Sequence, residues 1–511
     1  MMRSSSGWKP LRRWCWSSFS EHYYKWEVQE MTRIAETRAK SHGFLLDGQW
    51  LSEGEALEVR SPFDHHLMGA TFRPQTAHIE MAIQAAVRAF EVTRKLPSYE
   101  RQRVLRSIAQ SITDRREDFA RTITLEAGKP IRTARAEVER AIFTFNIAAE
   151  ESTRIYGEWL PMDLQAFAAS RWAVVRRFPL GPIAAITPFN FPLNLVAHKW
   201  APAMAVGCTL VHKPASQTPL SSLLLAELVE QAGWPRGALN VLPLSSRDAE
   251  RLVADERLKM LSFTGSGVVG WDLKKKAGKK RVTLELGGNA GVIIHHDADL
   301  EYAAERCTTG GFSYAGQSCI SVQRIFVHSS VMESFLAAFL PRVRKLSMGD
   351  PLNEATDVGP MISEADAQRA EEWINEAIAA GARLLCGGKR NGPFLAPTVL
   401  TGTRSEQRVN CEEIFAPVVT VEPYDDFAEA VRRVNNSRYG LQAGVFTRDA
   451  KLLFHAYDEL EVGGVVAGDV PTFRIDHMPY GGVKDSGLGR EGLRYAIEEM
   501  TEQKILLVNM T

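Results

Sequence analysis

The chain has 511 residues, 61 basic and 61 acidic side chains, and 45% of its residues are hydrophobic. Such a length predicts two or three lobes. Because the charge is balanced and no apolar run can cross a bilayer, neither nucleic acid nor a membrane is indicated as a partner. The six cysteines form no Cys-x-x-Cys pair, and no His or Cys cluster has zinc-ligand spacing. We therefore predict no metal site and a reducing, cytoplasmic location.

Residues 1–30 differ in composition from the rest of the chain. They contain several serines, three tryptophans and four basic residues before the first acidic one, Glu21. A transit peptide has a similar bias, but the segment lacks a clean amphipathic or hydrophobic region. We interpret residues 1–40 as an extension ahead of the folded body and predict that it is disordered.

The first elements of the folded body are a hairpin and a group of helices. Residues 44–50, with a turn at Asp47-Gly48, predict the hairpin. Apolar side chains at helical spacing predict helices at 77–96, 99–126 and 134–151. Two valine- or leucine-rich segments, 171–177 and 504–508, predict strands that need a partner, either within this chain or in a second subunit.

From Ile183 onward, strands and helices alternate. The predicted strands lie at 183–186, 209–212, 238–242, 260–263 and 282–286. One intervening helix is predicted to open with Thr218 as its N-cap and Pro219 at the first helical position. This order predicts a doubly wound parallel sheet with a ligand at the carboxyl ends of its strands. The alternation repeats from residue 291, which predicts a second α/β lobe.

Each of these two lobes contains one reactive residue. Cys319 and Glu285 each sit in a short segment that contains glycine. A thiolate can attack a carbonyl carbon, and a carboxylate can draw a proton from water. Taken singly, a free cysteine is most often a packing group and a glutamate a solvated surface residue. Cys307, in a predicted helix, is interpreted as a packing residue.

Three polar segments follow predicted strands. In the loop at 187–192, two prolines hold Asn190 at a rigid point, where its amide can face a developing oxyanion or simply cap a turn. Lys213 ends the next strand and can approach a ribose or phosphate, although a snorkelling surface lysine is the commoner case. Gly265 and Ser266 lie between a strand and a helix, where backbone N–H groups can approach a pyrophosphate.

Together these segments, with residues 412–417 and 479–491, resemble the motifs of the aldehyde dehydrogenase superfamily from about Gly43 to the C-terminus. The resemblance implies an α/β fold with a doubly wound, parallel-sheet cofactor domain, a second α/β catalytic domain and a small β oligomerisation arm. The implied division is 41–151 and 181–286 for the cofactor domain, 287–478 for the catalytic domain, and 152–180 with 479–511 for the arm and C-terminal segment.

The resemblance also implies roles for individual residues. Cys319 is the nucleophile, Glu285 activates water for thioester hydrolysis, and Asn190 with the Cys319 backbone N–H holds the oxyanion. The NAD or NADP contacts are Thr187, Pro188, Lys213, Ser216, Gly265, Ser266, Glu413 and Phe415. Ser216 stands where NAD-preferring members commonly have Glu, so we expect NADP to be accepted.

The substrate is less well indicated. Arg140, Arg474 and His477 are candidates for holding an anionic tail, as in a semialdehyde, but arginines on helices and loops more often form surface ion pairs. The family resemblance implies a homodimer or homotetramer.

Three functions remain open. The first is oxidation of an aldehyde to a free acid. The second is transfer of the acyl group to coenzyme A, against which Glu285 argues because members of that type lack it. The third is a dinucleotide-binding protein without catalysis, against which Cys319, Glu285, Asn190 and Lys213 argue, because packing alone requires none of them.

Overall fold

The computed structural model of the protein describes residues 41–510. The disorder predicted for residues 1–40 lies outside the described residues. Within the described range, no helix combines the length and hydropathy needed to span a membrane.

The described chain forms strands and helices in alternation. The strands are β1 (Phe44–Leu46), β2 (Gln49–Leu51), β3 (Glu55–Arg60), β4 (Leu67–Arg73), β5 (Glu158–Pro161), β6 (Arg171–Pro179), β7 (Ile183–Ile186), β8 (Leu210–Lys213), β9 (Leu239–Val241), β10 (Met260–Thr264), β11 (Arg281–Glu285), β12 (Ala290–Ile294), β13 (Val322–His328), β14 (Arg383–Cys386), β15 (Arg390–Asn391), β16 (Phe394–Leu395), β17 (Thr398–Thr401), β18 (Val418–Tyr424), β19 (Tyr439–Gly440), β20 (Gln442–Phe446), β21 (Gly464–Ala467), β22 (Val483–Lys484), β23 (Gly487–Leu488) and β24 (Thr501–Asn509). The helices are α1 (Thr76–Thr93), α2 (Ser98–Asp114), α3 (Arg116–Ala127), α4 (Ile131–Glu151), α5 (Asn194–Val206), α6 (Leu220–Gln231), α7 (Ser246–Ala254), α8 (Gly267–Lys276), α9 (Leu300–Phe312), α10 (Met332–Lys345), α11 (Glu364–Ala379), α12 (Arg408–Cys411), α13 (Phe427–Asn435), α14 (Ala450–Glu459) and α15 (Leu493–Glu499).

The first large sheet has the spatial order β2-β1-β9-β8-β7-β10-β11-β23. Its five central strands are parallel. The chain runs outward from β7 to β9 and then crosses back to β10, so the switch in direction lies between β7 and β10. Alternate residues of β7 enter different cores: Ile183 and Ala185 pack with helices on one face, Ala184 and Ile186 with helices on the other. The predicted doubly wound sheet is confirmed.

The second large sheet has the order β14-β17-β18-β13-β12-β20-β21. It is parallel except at β14. Here too, alternate residues enter different cores, with Ile325 and Val327 on one face and Phe326 on the other. Each such aliphatic or aromatic side chain, removed from water, stabilises the fold by roughly 1.5–3 kcal/mol.

A separate three-stranded antiparallel sheet has the order β24-β6-β5. The two segments predicted as strands from residues 171–177 and 504–508 therefore pair with each other within one chain, in register from Arg171↔Asn509 to Pro179↔Thr501. Strand β5 pairs on the other side of β6. We call these three strands the arm.

Two local predictions were wrong. The helix predicted at 99–126 is divided in two at Arg115. Thr218 does not cap α6, because the carboxylate of Glu126 accepts hydrogen bonds from the backbone N–H groups of Leu220 and Ser221 instead. A buried carboxylate from a neighbouring helix satisfies the same orphan donors that an N-cap side chain would satisfy.

Candidate active site

A cavity of about 270 Å³ lies where the two large sheets meet. Its walls contain many of the residues singled out from the sequence, among them Arg140, Pro188, Asn190, Glu285, Cys319, Glu413, Phe415 and Arg474. Cys319 and Glu285 thus face a common space, although they come from different lobes. Gly265 and Ser266 lie on its wall as well.

Cys319 lies between a short helical turn, Ser313–Gly316, and strand β13. Tyr314 and Ala315 both have φ of 52°, so the chain enters this segment through left-handed backbone. Cys319 follows this turn and does not lie at a helix N-terminus, where the helix dipole would lower a thiol pKa. Burial instead raises the pKa of the Cys319 thiol above its usual value, so stabilisation of the thiolate must come from neighbouring groups.

Asn190 is buried, and one N–H of its amide donates to the carbonyl of Gln317 over 3.0 Å. This contact ties the loop after β7 to the segment that carries Cys319. The loop is also anchored at its C-terminal end, because the buried carboxylate of Glu137 accepts hydrogen bonds from the backbone N–H groups of Leu193 and Asn194. The second N–H of the Asn190 amide remains for a ligand in the cavity.

Glu285 is the last residue of β11 and is 3% exposed. Neither carboxylate oxygen has a hydrogen-bond partner among residues 41–510. Burial, followed by the negative charge of Glu491, raises the pKa of Glu285 well above 4.5. A buried carboxylate with a raised pKa and free oxygens is suited to take a proton from water near neutral pH.

Two further charged residues, Lys199 and Glu491, lie close enough to Glu285 to affect its pKa. Neither was singled out from the sequence. The Lys199 ammonium donates to the Ser262 hydroxyl over 3.1 Å and lies 3.5 Å from a Glu491 carboxylate oxygen. Lys199 is almost fully buried in α5, whose residues are all buried. A lysine in an otherwise apolar helix was the available signal, since such a charge is buried only when paired.

Glu413 and Phe415 follow the short helix α12. A Glu413 carboxylate oxygen accepts from the backbone N–H of Gly288 over 2.9 Å, and burial raises the pKa of Glu413 to about 7. Ala416 stands where the motif that this segment resembles more commonly has glycine. The left-handed backbone lies one residue earlier, at Phe415 with φ of 49°.

A second, larger cavity of about 650 Å³ lies at the carboxyl ends of β7 and β10, where the winding direction switches. Thr187, Pro188, Lys213, Ser216, Gly265 and Ser266 line it. It shares part of its wall with the first cavity: Pro188, Phe189, Thr264, Gly265 and Ser266 belong to both. Ligands of doubly wound sheets bind at this switch point.

The residues of this cleft fit a nicotinamide dinucleotide. Lys213 is 8% exposed, and its ammonium makes no hydrogen bond or ion pair within residues 41–510. Burial lowers the pKa of Lys213 to about 8. The buried Thr264 hydroxyl likewise has no described partner. A free cation and a free hydroxyl in one cleft offer hydrogen bonds to ribose or phosphate oxygens.

The three candidate anion-binding residues are placed differently. Arg140 donates from Nε and Nη2 to both carboxylate oxygens of Asp476, over 3.0 and 2.7 Å. The Arg474 side chain is 6% exposed, and its Nε is buried without a hydrogen-bond partner in the described chain. His477 is exposed, lies edge-on to Phe143, and is absent from the cavity wall. Successive residues alternate between exposed and buried in this segment. Asp476 is therefore buried, whereas its neighbours Ile475 and His477 are exposed.

Residues 41–510 contain no group of His, Cys, Asp and Glu that could hold a metal ion. A doubly wound sheet with a cleft at its switch point, beside a cavity that contains a thiol and a carboxylate, defines the class of nucleotide-dependent dehydrogenases. Residues 50–506 match the aldehyde dehydrogenase family, and the chain belongs to that family. It oxidises an aldehyde with NAD or NADP as the acceptor.

Several relatives match over nearly the full chain. A 3-sulfolactaldehyde dehydrogenase from Priestia aryabhattai is 43% identical over 475 residues, which cover 93% of this chain and 99% of the relative. The crystal structure of aldehyde dehydrogenase 21 from Physcomitrella patens, in complex with the reaction product succinate, is 46% identical with a TM-score of 0.91, covering 92% of this chain and 99% of the other. Glyceraldehyde-3-phosphate dehydrogenase GapN from Methanocaldococcus jannaschii, complexed with NADP, is 39% identical with a TM-score of 0.87, covering 90% and 100%.

Proposed function

We propose that Cys319 attacks the aldehyde carbon and that Glu285 later activates the water that releases the acid. In the first step, the sulfur bonds to the carbonyl carbon, and the oxygen becomes an oxyanion held by the free N–H of Asn190 and the backbone N–H of Cys319. The cleft lined by Lys213, Ser216 and Gly265 would hold NAD(P), which would supply the hydride acceptor needed to convert this adduct into a thioester. Glu285 then takes a proton from water, the hydroxyl bonds to the acyl carbon, and the carbon–sulfur bond breaks.

The observation that carries this proposal is the shared cavity. Cys319 and Glu285 face the same space, and that space continues into the dinucleotide cleft through Pro188 and Gly265. Lys213, Ser216 and the backbone of Gly265 and Ser266 would hold the adenosine and pyrophosphate portions, with Thr187 and Pro188 beside them. Glu413 and Phe415 would hold the nicotinamide portion.

We further propose a small anionic aldehyde as the substrate class. Arg140 retains an Nη1 without a hydrogen bond to any described residue, and Arg474, paired with Glu491 and Asp476, adds a second positive charge. Both arginines face the cavity that holds Cys319. The relatives support this class, since sulfolactaldehyde, glyceraldehyde 3-phosphate and the product succinate each carry a negatively charged group.

The direct test is absorbance of the reduced nicotinamide during turnover. Succinate semialdehyde is compared with a neutral aldehyde of the same chain length, each with NAD and with NADP. We expect the anionic aldehyde to have the higher kcat/KM and the product to be the free acid. Formation of an acyl-coenzyme A in the presence of coenzyme A would favour the acylating alternative, and folded protein without activity on any aldehyde would favour the non-catalytic one.

The substitution Arg140→Gln is expected to raise KM for the anionic aldehyde by about tenfold or more, while KM for the neutral aldehyde changes little. One charge-assisted hydrogen bond contributes about 1.5–3 kcal/mol. Steady-state kinetics with both aldehydes measure the difference. Arg135→Gln is the matched control, because Arg135 lies on the same helix but pairs with Glu117 and Glu354 at the surface. An equal change in both KM values would contradict the anion site.

We propose that the arm mediates a homodimer or homotetramer. One face of the arm carries Trp159 stacked on Trp172 at 4.5 Å, with Val174 and Leu506 beside them. Trp159 is 63% exposed and Leu506 is 62% exposed. Strand β21 is an edge strand of the second large sheet, paired only with β20 among the described residues. An apolar face and an open edge of this kind are suited to pair with a second copy of the chain.

Leu506→Glu is therefore expected to shift the protein to a smaller species in light scattering coupled to size-exclusion chromatography. A charge placed in an apolar interface is costly because it loses hydration without gaining a partner. Val92→Glu is the matched control, since Val92 is 53% exposed on helix α1, away from the arm. An unchanged mass for Leu506→Glu would remove the arm from the interface.

We also propose that the protein is located in the cytoplasm. The five cysteines of the described chain, at 208, 307, 319, 386 and 411, are all free thiols. Free thiols throughout a large chain are typical of a reducing compartment.

A further inference from the structure

The Tyr480 hydroxyl lies 3.1 Å from the sulfur of Cys319. Tyr480 is 3% exposed, and Cys319 is the hydroxyl's hydrogen-bond partner within residues 41–510. Buried phenols normally find a polar partner, so a purely structural contact is one explanation. The surroundings of the ring point to more than packing.

Glu491 and Arg474 hold the Tyr480 ring in place. Tyr480 and Glu491 exchange two backbone hydrogen bonds, of 3.1 and 2.6 Å. The Glu491 carboxylate accepts from Nη2 of Arg474 over 3.1 Å, and the Arg474 guanidinium lies 3.6 Å from the centroid of the Tyr480 ring. A cation over an aromatic face is attracted to the ring and withdraws electron density from it. The hydroxyl is thereby aimed at the sulfur and made a better donor.

The other charged groups around Cys319 come from separate elements and act in opposite directions. Glu413, after α12, and Glu285, at the end of β11, both disfavour a negative sulfur. Arg474, on the loop after β21, favours it. Among these groups, Tyr480 alone makes a hydrogen bond to the sulfur. A half-buried thiol beside two carboxylates needs such a donor to become a nucleophile.

We propose that Tyr480 is a further catalytic residue, whose hydroxyl donates a hydrogen bond to the Cys319 thiolate and, with Arg474 behind its ring, stabilises the nucleophilic form of the sulfur. The thiol proton leaves to water in the cavity, and the phenol keeps its own proton. This inference rests on the proposed role of Cys319 and adds the group that makes the sulfur reactive.

The expected size of the effect follows from two opposing trends. A donor that lowers the thiol pKa by one unit gives about tenfold more thiolate at neutral pH. The same change lowers the reactivity of each thiolate by about threefold, because nucleophilicity falls with basicity. The net gain at neutral pH is about threefold, and the advantage reverses above the thiol pKa.

The test is the pH dependence of Cys319 alkylation by iodoacetamide, followed by mass spectrometry of the peptide that contains Cys319. For Tyr480→Phe, we expect the inflection to move up by about one pH unit. Alkylation should be about threefold slower at neutral pH and about threefold faster at high pH, so that the two profiles cross. Replacement of Tyr480 by 3-fluorotyrosine, a more acidic phenol, should move the inflection in the opposite direction.

Tyr424→Phe is the matched control. Tyr424 is 2% exposed and its hydroxyl lies 2.9 Å from His295, but it does not line the active-site cavity. The same inflection for wild type, Tyr480→Phe and the fluorotyrosine protein would overturn the proposal, as would an equal shift in Tyr424→Phe. If Tyr480→Phe does not fold, the fluorotyrosine protein decides the question. Alkylation of Cys319 requires no aldehyde. If the protein oxidised no aldehyde, the proposed function would fail, but the alkylation profiles would still test the role of Tyr480.

Discussion

Glu285→Gln is expected to release about one equivalent of reduced nicotinamide per active site and then nearly stop. The amide cannot take a proton from water, so the acyl group should remain on Cys319. The steady-state kcat should fall by about 10²–10⁴-fold, the usual contribution of a general base. Rapid-mixing absorbance measures the burst, and intact mass spectrometry detects the acyl adduct.

The pH profile gives a second readout of the same substitution. Because burial and Glu491 raise the pKa of Glu285, its basic form is populated only above the ordinary carboxyl range. Where thioester hydrolysis limits turnover, the wild-type kcat should therefore rise with pH through that raised pKa, and Glu285→Gln should lose this rise. Glu422→Gln is a control for loss of a buried carboxylate, since Glu422 accepts from Thr403 outside the cavity. A missing burst would contradict the assignment of Glu285 to the second step.

Cys319→Ala is expected to reduce kcat on the order of 10³-fold or more, because no covalent adduct can form. Binding of NAD or NADP should persist, since Lys213, Ser216 and Gly265 lie in the neighbouring cleft and Cys319 does not line it. Steady-state kinetics and calorimetric titration of the cofactor measure the two effects separately.

Cys386→Ser is the matched control for the thiol. Cys386 lies on strand β14, at the outer edge of the second large sheet, and does not line the active-site cavity. Its kinetics should equal those of the wild type. Activity retained in Cys319→Ala would overturn the proposed nucleophile.

The candidate site could be predicted to the extent that it consists of short motifs at strand ends. Asn190, Glu285 and Cys319 each lie in a short segment whose resemblance to an aldehyde dehydrogenase motif implied a role, and all three line one cavity. Tyr480 lies in the motif at 479–491, in which we assigned no residue a role, and Lys199 was not singled out. Their importance depends on contacts with residues distant in sequence: Tyr480, for example, lies 161 positions after Cys319.

The same distinction applies to the fold. Strand β7 was predicted at its observed bounds, because a short apolar run between turns is a local signal. The cap of α6 was missed because Glu126 reaches it from another helix, 94 residues away in sequence. Local sequence favoured Thr218 as the cap, but the Glu126 carboxylate accepts the hydrogen bonds that Thr218 was expected to accept.

By itself, the sequence determined the order of strands and helices, the doubly wound α/β class and the identities of the thiol, the amide and the carboxylate, because hydrophobic periodicity and short motifs are properties of neighbouring residues. The tertiary structure alone decided the pKa values and the hydrogen-bond partners of these groups. It half-buried Cys319 ahead of a strand, placed the Tyr480 hydroxyl beside its sulfur, and joined Arg140 to Asp476 across 336 residues of sequence. Burial and long-range pairing set pKa values and free hydrogen-bond donors, and neither can be read from residues that are adjacent in the chain.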